Sequence, residues 1–168
     1  MVKFFELFGN RSLAQLLGFL LSNDNEYTQK EIIKKTCLSK VSVINGLKKL
    51  AKEGLIELKK IGNVKIYKVS SDNHIIKQLK ILKTLTEMSS LKNIKENVKI
   101  YLYGSAARGE DHSKSDIDLL IIGKVKKESI AKEIKELQNK IKRDIKFEIF
   151  TAQEWSQTAR KDSAFYER

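Results

Sequence analysis

The feature that most constrains this chain is a short run in the second half. An alternating segment, Val98-Lys99-Ile100-Tyr101-Leu102-Tyr103, runs directly into Gly104-Ser105. Ten residues later Asp116-Ile117-Asp118 opens a second apolar segment, Leu119-Leu120-Ile121-Ile122. Alternation predicts a strand, and the glycine after it predicts a turn where backbone can approach a ligand closely. Ser105 adds a hydroxyl, and a helix opening there would offer free N–H groups to phosphate. Arg108, one turn on, would neutralise a polyphosphate. Asp116 and Asp118 are two apart on a strand, so both carboxylates project from one face while Ile117 and Leu119 point into the core. Two carboxylates so placed repel unless a cation lies between them, and hard oxygen ligands around a phosphate suit Mg²⁺. A third carboxylate is expected on a neighbouring strand. Ser129 to Arg143 reads as a helix with Ile130, Ile134, Leu137 and Ile141 inward. After it, Ile145, Phe147 and Ile149 face one way and Glu148 the other. Glu148 is therefore the candidate to complete the metal site and to take a proton from an attacking hydroxyl.

The first half reads helix, helix, helix, hairpin. Leu13, Leu16, Leu17, Leu20 and Leu21 lie at helical spacing. Thr28 caps a second helix, with Glu31 completing a capping box. Thr36-Cys37-Leu38 makes a short turn in which Cys37 is expected to face the core. Ser39 caps a third helix with Val43, Leu47 and Leu50 as its apolar stripe, and Gly54 ends it. Leu55–Lys60 and Val64–Val69 alternate as strands about a Gly62-Asn63 turn. Asn73 to Asn97 is expected to form a helical connector packed through Ile75, Leu79, Leu82, Leu85 and Met88. Phe4, Phe5, Leu7 and Phe8 are candidates to join an interface there or between two chains.

Charge bears on partners. The 168 residues carry 33 Lys+Arg against 21 Asp+Glu, a net of +12, and lysines outnumber arginines 28 to 5. Residues 1–97 hold 18 basic and 9 acidic side chains, so most of the excess lies in the first half. A basic surface attracts polyanions whatever their sequence. No apolar run reaches the roughly 18 residues of a membrane span, and neither a signal peptide nor an internal disulfide is expected, with Cys37 the one cysteine. A cytoplasmic location is the expectation.

Two resemblances follow from these residues. Over residues 10–70, the Thr28–Lys35 helix, the Cys37-Leu38 turn, the Ser39–Glu53 helix and the two-stranded hairpin resemble a winged helix-turn-helix DNA-binding domain. The resemblance implies that the Ser39 helix enters the major groove of double-stranded DNA. Val41, Asn45, Lys48, Lys49 and Lys52 lie away from its apolar stripe and would reach bases or phosphates, and Lys59, Lys60 and Lys65 at the hairpin would touch the phosphate backbone. A protein-contact role for the same elements is the alternative. Over residues 92–155, Gly104-Ser105, ten residues, Asp116-Ile117-Asp118, and then Glu148 resemble the nucleotidyltransferase superfamily of DNA polymerase beta, in its minimal, antitoxin-like branch. That likeness implies Mg²⁺-dependent transfer, over a two-metal site, of a nucleoside monophosphate from a nucleoside triphosphate such as ATP. Gly104, Ser105 and Arg108 would bind the nucleotide; Asp116, Asp118 and Glu148 would hold metal and serve catalysis.

The fold expected is α+β with two domains: a winged helix-turn-helix over 1–72, a helical connector over 73–97, and a mixed nucleotidyltransferase sheet flanked by helices over 98–168. The resemblance also implies an antitoxin that modifies a HEPN-type toxin and regulates its own operator; a homodimer is a separate expectation, since the connector helix could pair two chains. A nucleotide-sensing regulator without catalysis, and transfer to RNA or a small molecule, are the alternatives. Two departures from the family pattern stand out. Glu replaces the more usual Asp at 148, which moves the carboxylate by about 1.5 Å. The chain also stops at Arg168, soon after Trp155, so part of an acceptor or base site is expected to be missing or supplied by a partner.

Overall fold

The computed structural model describes residues 9–93 and 98–161. Contacts divide the chain into two compact units, one ending at Thr86 and one beginning at Glu87. The Phe4, Phe5, Leu7 and Phe8 cluster and the last residues of the expected connector, 94–97, lie outside the described residues.

The first unit is built on local signals. α1 (Arg11–Leu21) starts where the Asn10 side chain accepts the Leu13 N–H. β1 (Tyr27–Thr28) leads into α2 (Gln29–Thr36), which carries the full capping box: the Thr28 hydroxyl accepts the Glu31 N–H, and the Glu31 carboxylate accepts the Thr28 N–H. Those bonds, the one from the Thr28 backbone first, hold the Glu31 carboxyl below its ordinary value. α3 (Lys40–Lys52) begins at Ser39, whose hydroxyl accepts the Ser42 N–H. β2 (Ile56–Ile61) and β3 (Val64–Val69) pair antiparallel, and β1 joins the free side of β3. β1 is only two residues long, too short for alternation to reveal, and it ties the start of α2 to the hairpin. The core gathers Leu16, Leu20, Ile32, Val43, Leu47, Ile56 and Ile76. At its centre α1 and α3 touch where α3 has no side chain: a Cβ on Gly46 would stand 2.6 Å from Leu16 Cδ2.

Two expectations fail in this unit. Cys37 is exposed, not core-facing, because it caps α2 in the left-handed conformation (φ 56°), which turns its side chain outward. Of the expected connector stripe, Leu79 packs on the first core and Met88, just past the helix, is buried in the second, but α4 (His74–Glu87) buries Ile76, Lys80 and Thr84 and leaves Ile75, Leu82 and Leu85 exposed. The inward face instead carries the fully buried Ile76 and Lys80, only 6% exposed, which reaches Asp24 at 3.2 Å in the loop after α1. A buried ammonium needs such a partner. The helix also ends at Glu87, and Met88–Asn93 continue as a 3₁₀ turn in the second unit.

The second unit is a three-stranded mixed sheet, order β4-β5-β6. β4 (Lys99–Tyr103) enters α5 (Gly104–Arg108); β5 (Ile117–Ile122) pairs antiparallel with β4 and parallel with β6 (Ile145–Phe150). The parallel pair requires a crossover, supplied by α6 (Lys127–Ile141). α6 packs Ile130, Ile134 and Leu137 on the sheet face formed by Ile117, Leu119, Ile121 and Ile145. α7 (Ala152–Lys161) follows, with the Trp155 ring 5.7 Å from Phe150. No helix among the described residues is long and apolar enough to cross a membrane.

The α1–α3 contact gives a stability test. Gly46→Leu forces a side chain into the fully buried Leu16 and should destabilise the first unit by about 1–3 kcal/mol. Urea unfolding measures the loss, and adding Leu16→Ala to the same chain should restore part of it.

Candidate functional site

Tyr103, the last residue of β4, pairs with Asp118 near the start of β5. The chain then turns at Gly104 with φ +71°, directly over that carboxylate. A Cβ on Gly104 would lie 2.5 Å from Asp118 Oδ2 and 3.3 Å from its Cγ. Only glycine accepts both this φ and this approach. Ser105 follows at the opening of the short helix, Ala106 is buried beneath it, and Gly109 closes it by donating to Ser105 and Ala106 carbonyls. Arg108 is exposed and forms a 2.9 Å ion pair with Glu110. Exposed pairs of this kind contribute little, so the guanidinium can be recruited at small cost.

The loop from Glu110 to Asp116 is pinned rather than loose. Asp111 is 5% exposed, and its Oδ2 meets Arg143 Nη1 at 2.8 Å. The same guanidinium donates from Nε and Nη2 to the Ser115 carbonyl at 3.1 and 2.9 Å. Within the loop the His112 N–H donates to Ser115 Oγ, and the Ser115 N–H returns to the His112 carbonyl. On the other side of Asp116, the Ile117 N–H donates to the Asp144 carbonyl at 2.9 Å. Asp116 is thus held by the backbone on both flanks. From the sequence alone Asp111–Ser115 is a polar loop, and nothing local gives Arg143 a role. The available signal was composition: among 28 lysines the chain has 5 arginines, and a planar fork is what one residue needs to bind a carboxylate and a carbonyl together.

Asp116, the residue before β5, and Asp118 on it both meet Lys146 on the side of the sheet opposite the buried Ile117 and Leu119. Their nearest partner on β6 is Lys146, which stands level with Asp118 and makes an ion pair with Asp116 at 2.5 Å. That hydrogen bond, then the Asp116 charge, with smaller contributions from Asp118 and Asp144, holds the Lys146 ammonium above its ordinary pKa. Glu148 is exposed on the same face, level with Leu120. It therefore sits one side-chain step, about 6–7 Å, farther along the sheet than Lys146. Among the described residues no three His, Cys, Asp or Glu side chains converge closely enough to hold a metal ion. The structure brings Gly104, Asp118 and Asp116 together, adds Lys146, and leaves Glu148 at the edge. Lys146 was legible in the sequence as the outward neighbour of Glu148 in an alternating strand. Two carboxylates on one face beside a Cβ-less turn fit a divalent cation shared with a phosphate. Asp116 and Asp118 would hold it, with Glu148 one step away.

In the first unit Val41, Asn45, Lys48, Lys49 and Lys52 are all exposed on α3, while Val43, Gly46, Leu47 and Leu50 are buried. Val41 is 66% exposed. On the hairpin, Lys60 and Lys65 stand directly opposite each other, whereas Lys59 pairs with Ile66 and projects from the other face. Like charges directly across a ladder repel.

Residues 77–168, more than half of the chain, match the family model of the nucleotidyltransferase domain. No curated protein and no solved structure matches the chain.

Replacing Gly104 tests the site's geometry. Gly104→Ala should push the Asp118 carboxylate aside and lower affinity for a nucleoside triphosphate by about tenfold or more, because the left-handed φ and the short contact are both lost. Equilibrium dialysis with labelled ATP and Mg²⁺ reads the loss, and circular dichroism confirms that the sheet is retained.

Proposed function

We infer that this chain, which belongs to the nucleotidyltransferase domain family, transfers a nucleoside monophosphate from a nucleoside triphosphate to an acceptor and couples that activity to DNA binding. The observation that carries the transfer reading is the Gly104 turn lying against the Asp118 carboxylate. It puts a phosphate-accepting backbone and an acidic pair within one ligand's reach.

In this reading the Gly104 and Ser105 backbone and the Ser105 hydroxyl hold the triphosphate. Arg108 leaves Glu110 for a phosphate oxygen. Asp116 and Asp118 hold Mg²⁺, whose charge, when bound, offsets that of the triphosphate. An acceptor hydroxyl oxygen bonds to the α-phosphorus, the bond to pyrophosphate breaks, and the hydroxyl proton passes to Glu148. Lys146 occupies the anionic site until substrate arrives, ion-paired with Asp116 and level with Asp118. The likeness of residues 92–155 to antitoxin-like relatives supports a HEPN-type toxin as acceptor and ATP as donor.

The DNA reading rests on the exposed face of α3 and on Lys60 and Lys65. A repulsive pair at a hairpin tip is relieved by phosphate, and the first half holds most of the excess positive charge. The elements resemble a winged helix, with α3 as the groove-entering helix. A second reading, nucleotide sensing without transfer, is favoured by one observation: Lys146, not a third acid, stands beside the aspartate pair.

Asp118→Asn should lower Mg²⁺-dependent pyrophosphate release from ATP by about 100-fold or more while the thermal transition stays in place. A wild-type chain that binds ATP and never releases pyrophosphate, with cell extract supplying acceptors, would select the sensing reading. Lys48→Ala with Lys60→Ala should weaken duplex DNA binding and reduce the salt slope by about 1–2. An unchanged slope in a gel-shift titration places those lysines away from phosphate.

A further inference from the structure

On the other side of the sheet from the aspartate pair, a cavity of about 770 Å³ opens between α6, the Ser113-Lys114 segment and the start of β6. That volume is in the range of small-molecule sites. Its floor is apolar: Ile134, fully buried, and the Phe147 ring, which lies on the α6 side of β6. Its rim carries Lys114, Lys135 and Lys142, all exposed, and among the described residues none of the three has a carboxylate partner. The acid on the wall, Asp144, already receives a hydrogen bond from the Gln138 amide at 3.5 Å. Lys142 is also one of two described non-glycine residues with positive φ. It ends α6 at φ 56°, where glycine would be the unstrained choice. Keeping an ammonium there costs about 1 kcal/mol of backbone strain, and strain of this kind accumulates at ligand sites.

We propose that this cavity is a second binding site, for a mononucleotide: phosphate on the three lysines, base against Phe147 and Ile134. Its wall is wired to the first site. Arg143 lines the cavity and holds the Ser115 carbonyl; Asp144 lines it and holds the Ile117 N–H. These are the two backbone points flanking Asp116. A ligand phosphate that draws on Arg143 or shifts Lys114 is felt at the Asp116 carboxylate, so occupancy tunes the aspartate pair. That regulatory half rests on the transfer reading; the binding half does not.

The test uses the full chain in EDTA, where the carboxylate site has no cation, and calorimetric titration with AMP. Wild type should bind one equivalent. Lys135→Ala with Lys142→Gly, an exposed helix position and a strain-relieving one, should weaken binding by about tenfold or more with unfolding midpoints no lower than wild type. Asp118→Asn should leave AMP binding unchanged, which separates this site from the first. Equal AMP affinity in the lysine variant overturns the proposal. Tripolyphosphate binding as tightly as AMP overturns the nucleotide assignment, and binding of oligonucleotides but not of AMP does the same. If wild type releases pyrophosphate, added AMP should change that rate at least twofold in wild type and not in the lysine variant. An identical response in both overturns the coupling; absence of pyrophosphate release in every chain counts against the transfer reading alone.

Discussion

An Asp118 carboxylate oxygen stands 2.5 Å from where a β-carbon on residue 104 would be, and the rest of the site depends on that close approach. Antiparallel pairing of Tyr103 with Asp118 brings the end of β4 level with the acid, and the left-handed turn at Gly104 then passes over it. Backbone donors and a carboxylate thereby share one small volume without a side chain between them. Neither can move alone, because the strand pairing that places one places the other. A site proposed to grip a phosphate and a cation together would gain from such rigidity, since the donors would need no reorganisation when charge arrives.

Asp116 is held by different means. It precedes β5 and has no ladder partner, so its backbone neighbours carry the constraint: Arg143 on Ser115, and the Asp144 carbonyl on Ile117. A lysine at 143 could not replace this arrangement, since a point charge cannot address a buried carboxylate and a carbonyl in one plane. Lys146 then supplies positive charge to the pair from the adjacent strand. One ammonium thus offsets part of the charge of two carboxylates, and a cation bound there would compete with it.

Much of this was legible because the signals were local. The caps at Thr28 and Ser39, the hairpin around Gly62-Asn63, and the inward Ile117, Leu119, Ile145 and Phe147 depend on spacing over a few residues, and the structure has them. What failed depended on distant partners. Lys80 falls between the apolar positions of the connector, yet it is buried, paired with Asp24, 56 residues away. Cys37 was read as inward because apolar character was weighed without the φ its capping position imposes. Asp111 is buried in a polar loop because its partner, Arg143, lies just beyond the end of α6, 32 residues along the chain.

The amino-acid order by itself determined the strand-turn-strand frame, the shared face of Asp116 and Asp118, and the outward side of Glu148, since strand period and glycine geometry are properties of adjacent residues. Tertiary structure decided which charges meet. The register between β5 and β6 put Lys146 level with Asp118 and Glu148 level with Leu120. Parallel pairing across a crossover helix is set by how α6 packs on the sheet, and no spacing within either strand encodes it.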